Sequence, residues 1–327
     1  MEELRKITYG QAIREAIDEE MARDDSVILF GEDVGKMGGN WTTSQGLMDK
    51  YGEWRVRDTP ISENGFTGLA IGAAFFGARP IVEIMFADFM MVCFDMLENE
   101  MCKYSYMTGG NVKVPPMVVR TPMGMGRSSA ANHSQTPTAY FAHIPGIKVV
   151  APSNAAEAKG LLKSAIRDNN PIIFLESKLD YSKKFMVPSG EYTIPLTKAN
   201  VVEEGSDLTV VSYGCTVNKV LKATKKLKEE GIKAEVIDLR MINPLDIDTI
   251  VASVEKTGKL LIVDEDTESF SITGEITYQV QKACLGALKA PVERLNYPDL
   301  PIPYSPGLEF KLIVDADKIY NKIKSML

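Results

Sequence analysis

The sequence lacks the features that mark several common classes of protein. Its four cysteines form no CxxC pair, so we expect free thiols in a reducing compartment rather than disulfides or a thiolate metal site. No apolar run reaches the ~20 residues of a membrane helix. Acidic residues outnumber basic ones by 44 to 37, a net charge of −7, which argues against binding to nucleic acid or to an anionic membrane. The charged, amphipathic N-terminus has no signal-peptide core, so we expect a cytoplasmic protein.

Short catalytic signatures are also absent. The sequence has no GxGxxG at its first predicted strand, no P-loop, no GxSxG and no HExxH. These absences disfavour a nicotinamide oxidoreductase, an NTPase, a simple serine hydrolase and a zinc enzyme. The glycine-rich segment 31–40 (GEDVGKMGGN) follows a predicted strand, but its Lys36 is followed by Met37. We therefore interpret this segment as a surface turn rather than a phosphate-binding loop.

What the sequence does contain is an alternation of strand and helix patterns. Its 327 residues, 45% of them hydrophobic, are enough for two domains with separate cores. Apolar runs without polar alternation predict strands at 27–30, 80–86, 116–120, 147–151 and 171–175. Helical periodicity predicts helices at 9–23, 65–77, 88–106 and 154–167. Such alternation is typical of an α/β fold, with a mostly parallel sheet covered by helices on both faces.

The alternation breaks at residues 178–205, which are charged, contain two prolines and show no sustained helical pattern. It then restarts, with predicted strands at 207–213, 233–239 and 259–264 and predicted helices at 216–230 and 246–256. We therefore expect a first domain at 1–180, a linker with some extended structure at 181–204, and a smaller α/β domain at 205–327. The basic helix segment 222–231 is interpreted as a solvated face.

Both histidines of the chain lie within eleven residues of each other. His133 follows a loop of glycines and small residues after the strand predicted at 116–120, and open α/β sheets bind ligands at such strand ends. Imidazole suits proton transfer near neutral pH, although a structural loop histidine is the alternative. His143 precedes Ile144 and Pro145 and is interpreted as a packed or capping residue.

A glutamate stands at the predicted start of a helix rich in small residues. Ser62 is expected to cap a helix that begins near Asn64, which leaves Glu63 in the first turn. A first-turn glutamate often only compensates the helix dipole. Because an apolar helix follows, we expect Glu63 at a buried helix end, where burial and the helix N-terminus act on a carboxyl group in opposite directions. Local reasoning leaves both roles of Glu63 open.

These segments, taken in order, carry a resemblance to a known family. The matching residues run almost end to end: LFGEDVG (29–35), DTPISENG (58–65), RPIVE to FADF (79–89), RTP (120–122), HSQTPTAYFAHIPGIKVVAPS (133–153), AKGLLKSAIRDNNPIIFLE (158–176), EVIDLRMINPLD (235–246) and PDLPIPYSP (298–306). The chain resembles the beta subunit of the thiamine-diphosphate-dependent decarboxylating component of 2-oxo acid dehydrogenase complexes, a family that includes pyruvate, branched-chain 2-oxo acid and acetoin dehydrogenases. The resemblance implies a transketolase-like pyrimidine-binding domain followed by a transketolase C-terminal-like domain.

The resemblance also implies roles for individual residues. Glu63 matches the glutamate that hydrogen-bonds the aminopyrimidine ring of thiamine diphosphate and thereby activates it. Met85 and Phe89 match positions that pack on that ring. His133 matches the histidine that faces the substrate and the incoming lipoyl group, and Glu32 is expected to join a buried acidic network.

Cofactors and partners are implied in the same way. Ala165, Asp168 and Asn170 match a loop that donates oxygen atoms to a structural potassium ion in some relatives. The GDG motif that holds magnesium and the diphosphate in thiamine enzymes is missing, so the resemblance implies an alpha subunit that holds magnesium in a heterotetramer with shared sites. It further implies docking on a lipoyl-bearing acyltransferase core.

The substrate is left open by the sequence. Asn64 and the small-residue loop GMGRSSAAN before His133 depart from many relatives, and we favour pyruvate or acetoin without separating them. The enzyme alternative is the C-terminal half of a split transketolase. A non-catalytic α/β scaffold subunit is the third possibility, against which the presence of both Glu63 and His133 counts.

Overall fold

The computed structural model describes residues 3–327, and its first half is built around a large sheet. The strands of this half are β1 Leu4–Thr8, β2 Val27–Gly31, β3 Val56–Asp58, β4 Arg79–Glu83, β5 Val118–Met123, β6 Lys148–Val150, β7 Ile172–Ser177 and β8 Lys184–Pro188. The helices are α1 Tyr9–Arg23, α2 Leu47–Tyr51, α3 Glu63–Phe75, α4 Cys102–Met107, α5 Thr138–Ala142 and α6 Ala155–Arg167. Short 3-10 turns lie at Asn40–Thr42 and Ala87–Met91, and a π-helical stretch spans Met96–Met101.

The second half repeats the α/β arrangement on a smaller scale. Its strands are β9 Asn200–Glu203, β10 Leu208–Ser212, β11 Ala234–Asp238, β12 Met241–Asn243, β13 Leu260–Thr267 and β14 Glu293–Tyr297. Its helices are α7 Cys215–Glu229, α8 Ile247–Thr257, α9 Ile272–Cys284, α10 Pro306–Leu312 and α11 Ala316–Met326, with a 3-10 turn at Leu285–Ala287.

Both sheets are mostly parallel, as the sequence predicts. The first has the order β12-β6-β7-β5-β4-β2-β3, and the second has the order β14-β13-β10-β11-β9. The exceptions lie at sheet edges: β12 runs antiparallel to β6, and β9 runs antiparallel to β11. A separate antiparallel ribbon joins β1 to β8. The predicted fold class is therefore confirmed.

The two halves are interlocked in sequence and in space. Strand β12 belongs by its position to the second half but adds to the first sheet through β6. One cluster of buried side chains runs from β7 of the first sheet to β10 and β11 of the second. The predicted linker contains the whole of β8 and of β9, each paired with a strand outside the linker. The expected boundaries 1–180, 181–204 and 205–327 stay a prediction.

The predicted helix at 88–106 is the main error in the secondary structure. The chain there changes from a 3-10 turn to a π-helical stretch and then to α4. The side chains that face the core, Met90, Cys93, Leu97 and Met101, are buried. They recur every three or four residues. The spacing of apolar residues therefore predicts which side of this segment is buried, but it does not predict where the helical pitch changes.

The first helix shows how local sequence positions a whole element. The side chain of Thr8 accepts a hydrogen bond from the backbone of Gln11, whose side chain accepts one in return from the backbone of Thr8. This capping box fixes the start of α1. Ile13 and Ile17 are then fully buried in a core cluster that also includes apolar residues of α6. Among residues 3–327 no helix is long and apolar enough to cross a membrane.

Candidate functional site

A buried ion pair lies across the centre of the first sheet. Glu83, at the end of β4, stands opposite Arg120 of β5, and the side chains of both are fully or almost fully buried. The guanidinium of Arg120 donates to Glu83, and it donates through Nε and Nη2 to the two carboxylate oxygens of Glu176, at 2.7 Å each. The hydroxyl of Tyr181 donates to the same carboxylate. The glutamates near the ends of β4 and β7 thus share the guanidinium of Arg120 at the carboxyl edge of the sheet.

The glycine-rich segment 31–40 closes over this ion pair. The backbone N–H of Asn40 donates to Oε1 of Glu83 at 2.6 Å, and the hydroxyl of Thr43 donates to Oε2 at 3.2 Å. A Cβ atom at Gly39 would lie 2.9 Å from Glu83 Oε1, so only glycine allows this approach. The interpretation as a surface turn is therefore wrong, because the glycines are needed for contact with a buried carboxylate.

Glu63 is the first residue of α3 and is only 7% exposed. Ser62 occupies the cap position, but its side chain makes no capping hydrogen bond. The predicted side-chain cap is wrong because the Ser62 backbone has φ −162° and ψ 72°, outside the usual cap geometry. The carbonyl of Ser62 instead accepts from the backbone of Phe66. Glu63 thus lies at a buried helix start, as expected.

Glu32 lies close to Glu63 in an acidic pair. Its side chain is buried, and its Oε1 has no hydrogen-bond partner within the described residues. Burial raises the pKa of Glu32 above its usual value, and the neighbouring charges of Glu63 and Asp33 raise it further. Burial and, more weakly, the charge of Glu63 also contribute to raising the pKa of Cys93 to about 11. Glu32 is thus a buried carboxyl group beside a second buried carboxyl group, an environment that favours its protonated form.

An aromatic wall follows β4 and holds the predicted histidine. The ring of His133 packs edge-on against Phe86 and Phe89, with centroid distances of 4.7 and 5.1 Å. Met85 is half-buried beside this wall, and its carbonyl accepts a hydrogen bond from the Asn40 side chain. The structure therefore brings together Phe89 and His133, which are 44 residues apart in the sequence.

One nitrogen of the His133 ring is available for chemistry. Its Nδ1 lies 3.1 Å from the side-chain oxygen of Asn132, and in residues 3–327 no protein group bonds Nε2. The carbonyl of His133 accepts from the buried ammonium of Lys178. His143 is exposed at the C-terminal end of α5, where its backbone N–H donates to Ala139. His143 thus occupies the C-cap position of α5, and its side chain is exposed rather than packed.

Sequence reasoning missed the buried charged residues of this site. Glu83, Arg120 and Glu176 stand at the ends of apolar strand runs, and Lys178 follows the last of these runs directly. A charged residue that interrupts or ends a buried-type strand was the available signal. Lys178 also lies 5.9 Å from the Phe86 ring centroid, and burial lowers the pKa of its ammonium.

The loop predicted to bind potassium has its oxygen atoms partnered within the chain. Arg79 donates to the carbonyl of Asp168 at 2.9 Å, and Lys148 lies 2.6 Å from the carboxylate of Asp168. The other carboxylate oxygen accepts from the backbone and side chain of Asn170, and the carbonyl of Ala165 accepts from the Asp168 N–H. Two cationic side chains, those of Arg79 and Lys148, thus already bind oxygen atoms of Asp168. The potassium site stays a prediction.

Clusters of acidic, histidine and cysteine ligands suited to a metal ion do not occur in the part of the chain described, 3–327. The candidate site instead combines a buried acidic pair, an apolar and aromatic wall and a histidine. A flat heteroaromatic ring with a hydrogen-bonding edge suits such a surface.

The chain matches two family descriptions. Residues 5–184 match "Transketolase, pyrimidine binding domain", and residues 197–319 match "Transketolase, C-terminal domain". Acetoin:2,6-dichlorophenolindophenol oxidoreductase subunit beta of Cupriavidus necator is 47% identical to this chain, and the match covers 96% of each of the two chains. Pyruvate dehydrogenase E1 component subunit beta of Porphyra purpurea is 44% identical over 99% of this chain and 98% of its own. The chain belongs to this family of dehydrogenase E1 beta subunits.

Further comparisons agree with this membership. 2-Oxoisovalerate dehydrogenase subunit beta of Bacillus subtilis is 44% identical to this chain, and the match covers 98% of each of the two chains. A solved structure described as "Split gene transketolase, inactive beta4 tetramer" superposes on this chain with a TM-score of 0.76. The match covers 98% of this chain and 97% of the chain in that structure. At 21% identity it shows the fold alone. The E1 beta membership therefore favours the main functional interpretation over a split transketolase.

The ion pair of this E1 beta chain predicts a strong effect of Arg120→Met. The substitution leaves the buried carboxylates of Glu83 and Glu176 without a cation, which should lower the free energy of unfolding by about 3–5 kcal/mol. Denaturant unfolding measures it. Lys226→Met, which removes an exposed ion pair with Asp317, is the control and should change little. A loss as small as that of the control would contradict the assigned role of Arg120.

The raised pKa of Glu32 predicts a pH-dependent effect of Glu32→Gln. Because the folded-state pKa lies above the unfolded one, the carboxyl group contributes stability below the unfolded pKa and loses it as the pH rises through the folded pKa. The glutamine variant should therefore gain melting temperature relative to the parent at pH 7 but not at pH 4. Glu53→Gln, at an exposed position, is the control. A difference that is the same at both pH values would contradict the shifted pKa.

Proposed function

We propose that this chain is the beta subunit of a thiamine-diphosphate-dependent dehydrogenase component. Together with an alpha subunit it decarboxylates a 2-oxo acid such as pyruvate, or cleaves acetoin, and transfers the acyl group to lipoamide on an acyltransferase core. The observation that carries the proposal is the juxtaposition, in one edge of the first sheet, of the buried Glu32 and Glu63 pair with the aromatic wall that holds His133.

The acidic pair and the wall fit the aminopyrimidine half of the cofactor. Glu63 would hydrogen-bond the aminopyrimidine ring nitrogen, while Met85 and Phe89 would pack on the face of the ring. The unpartnered buried oxygen of Glu32 supports a polar group at this place, because buried polar atoms are rarely left without partners. Thiamine diphosphate, when bound, supplies the nucleophilic carbon and the electron sink of the reaction.

The chain's own residues then manage protons and water. Burial and the neighbouring charge of Glu63 raise the pKa of Glu32, so Glu32 would hold its proton more tightly than an exposed glutamate. The apolar faces of Phe86 and Phe89 shield the ring side of His133 from water. His133 would exchange a proton through Nε2 when the acyl group passes to the lipoyl thiol.

An alpha subunit is proposed because the chain supplies only part of such a site. The diphosphate and magnesium need hard oxygen ligands, and the GDG motif that provides them in thiamine enzymes is missing from the sequence. The surface also offers apolar area for a partner. Exposed side chains there include those of Leu69, Phe76, Val92, Tyr106 and Met107.

The substrate is proposed only as a class. Relatives named for acetoin, pyruvate and 2-oxoisovalerate are 47%, 44% and 44% identical to this chain. Overall identity therefore does not choose among them. The small-residue loop before His133 supports pyruvate or acetoin, whose acyl or hydroxyethyl groups are small.

The role of Glu63 predicts the outcome of Glu63→Gln. The amide keeps the size of the side chain but not its acidity, so the assembled enzyme should form while turnover falls by about 10²–10⁴-fold. Steady-state assays of the complex with its alpha subunit measure this. Glu275→Gln removes a first-turn glutamate of another helix, α9, and is the control for dipole compensation. Full turnover in the Glu63→Gln enzyme would contradict the assignment.

The role of His133 predicts a split between two assays. His133→Gln should lower acylation of a lipoyl domain by about 10²-fold or more, while decarboxylation coupled to an artificial dye falls much less. His143→Gln changes the chain's other histidine and should leave both rates unchanged. Equal losses in both assays would contradict a role of His133 in acyl transfer.

A further inference from the structure

The loop that carries His133 is closed at its base and ends against the aromatic wall. The backbone N–H of Gly124 donates to the carbonyl of Gln135 at 3.1 Å. The carboxylate of Asp88 accepts from the backbone and side-chain nitrogens of Gln135, at 3.3 and 2.9 Å. The loop 124–135 therefore leaves and re-enters the fold at a single fixed point, with His133 two residues before the end.

The same loop contains strained backbone. Ser128 and Ala130 have φ angles of +52° and +65°, in the left-handed region that side chains with a Cβ atom seldom adopt. Such conformations persist only where the surroundings hold them in place. The loop geometry is therefore not a property of its own sequence and requires an external anchor.

Glu309 of α10, in the second half of the chain, is the anchor at the strained position. Its side chain is fully buried. One carboxylate oxygen accepts from the backbone of Gly126 at 2.7 Å, and the other accepts from the backbone and hydroxyl of Ser128, at 2.8 and 3.0 Å. Each of these three donors belongs to the His133 loop. Hydrogen bonds to an ionised carboxylate are about twice as strong as neutral ones.

A second charged group ties the far end of the loop to the same place. The ammonium of Lys178 donates to the carbonyl of His133, and its pKa is influenced by the charge of Glu309 as well as that of Asp88. Burial lowers the pKa of Lys178, and the charges of Asp88 and Glu309 act in the opposite direction. The loop is held between a buried anion at residues 126–128 and a buried cation at residue 133.

We infer that Glu309 is a positioning residue for His133, through which the C-terminal half of the chain sets the geometry of acyl transfer. This inference rests on the proposed role of His133. Glu309 touches neither substrate nor cofactor in this account and acts through the loop 124–135. A structural role alone would lower stability and affect all steps of the reaction alike, whereas a positioning role affects the step that His133 serves.

The test is Glu309→Gln, in the complex with the alpha subunit. An amide of the same size places an NH₂ donor against a backbone N–H, so at least one of the anchoring hydrogen bonds is lost without a cavity. We expect lipoyl-domain acylation to fall by about 10²-fold, with a much smaller loss of dye-coupled decarboxylation. Glu235→Gln is the matched control: it is a buried glutamate of the same half that also accepts from a backbone N–H, that of Gly205.

A double-variant comparison separates positioning from stability. If Glu309 acts through His133, adding Glu309→Gln to His133→Gln should lower acylation no further, because the histidine that it positions is already gone. Additive losses in the double variant would overturn the inference. If the Glu309→Gln variant fails to assemble, Ser128→Ala is the second variant, because it removes a single one of the three hydrogen bonds. It should lower the ratio of the lipoyl-domain acylation rate to the dye-coupled decarboxylation rate by a smaller factor. An unchanged ratio would also overturn it.

A spectroscopic readout makes the result independent of activity. With only the beta chain isotope-labelled, its two histidines give two imidazole signals, which His143→Gln assigns. Glu309→Gln should shift the His133 signal, and Glu235→Gln should not. If the parent enzyme shows no lipoyl-dependent activity while the signal still shifts, the proposed function fails and the anchoring stands. An unshifted His133 signal means that Glu309 does not position the ring.

Discussion

The ion pair between Arg120, Glu83 and Glu176 is the constraint on which the rest of the candidate site depends. It joins the carboxyl ends of three neighbouring strands, β4, β5 and β7, and the segments that follow β4 and β5 carry Phe89 and His133. Because all three side chains are buried, removal of the single cation would leave two buried carboxylates without a compensating charge. The same carboxylates hold the segment 31–43 and Tyr181. One buried cation thus sets the relative positions of several loops.

Around this fixed edge the chain arranges two kinds of group. Glu32 and Glu63 form a buried acidic pair in which the pKa of Glu32 is raised, and the aromatic wall of Phe86 and Phe89 holds the ring of His133. The C-terminal half reaches this site through Glu309, which bonds the strained loop before His133. The two halves therefore act as one unit at the site, although each has its own sheet.

Much of the fold could be predicted from the sequence because its signals are local. The capping box at Thr8 and the spacing of Ile13 and Ile17 are enough to predict α1. Apolar runs are enough to predict the central strands. The resemblance located Glu63 and His133, which periodicity alone left ambiguous. Local patterns failed where a partner lies far away in the sequence. Nothing near Arg120 indicates that Glu83, 37 residues earlier, will meet it, or that Gly39 must approach that carboxylate.

We propose that this chain holds half of a thiamine diphosphate site and needs an alpha subunit for the other half. Calorimetric titration of thiamine diphosphate with Mg²⁺, into this chain alone and into its complex with the alpha subunit, tests it most directly. We expect saturable binding to the complex and none to the chain alone. Tight binding to the chain alone would contradict it, because residues of this chain would then hold the diphosphate without a partner.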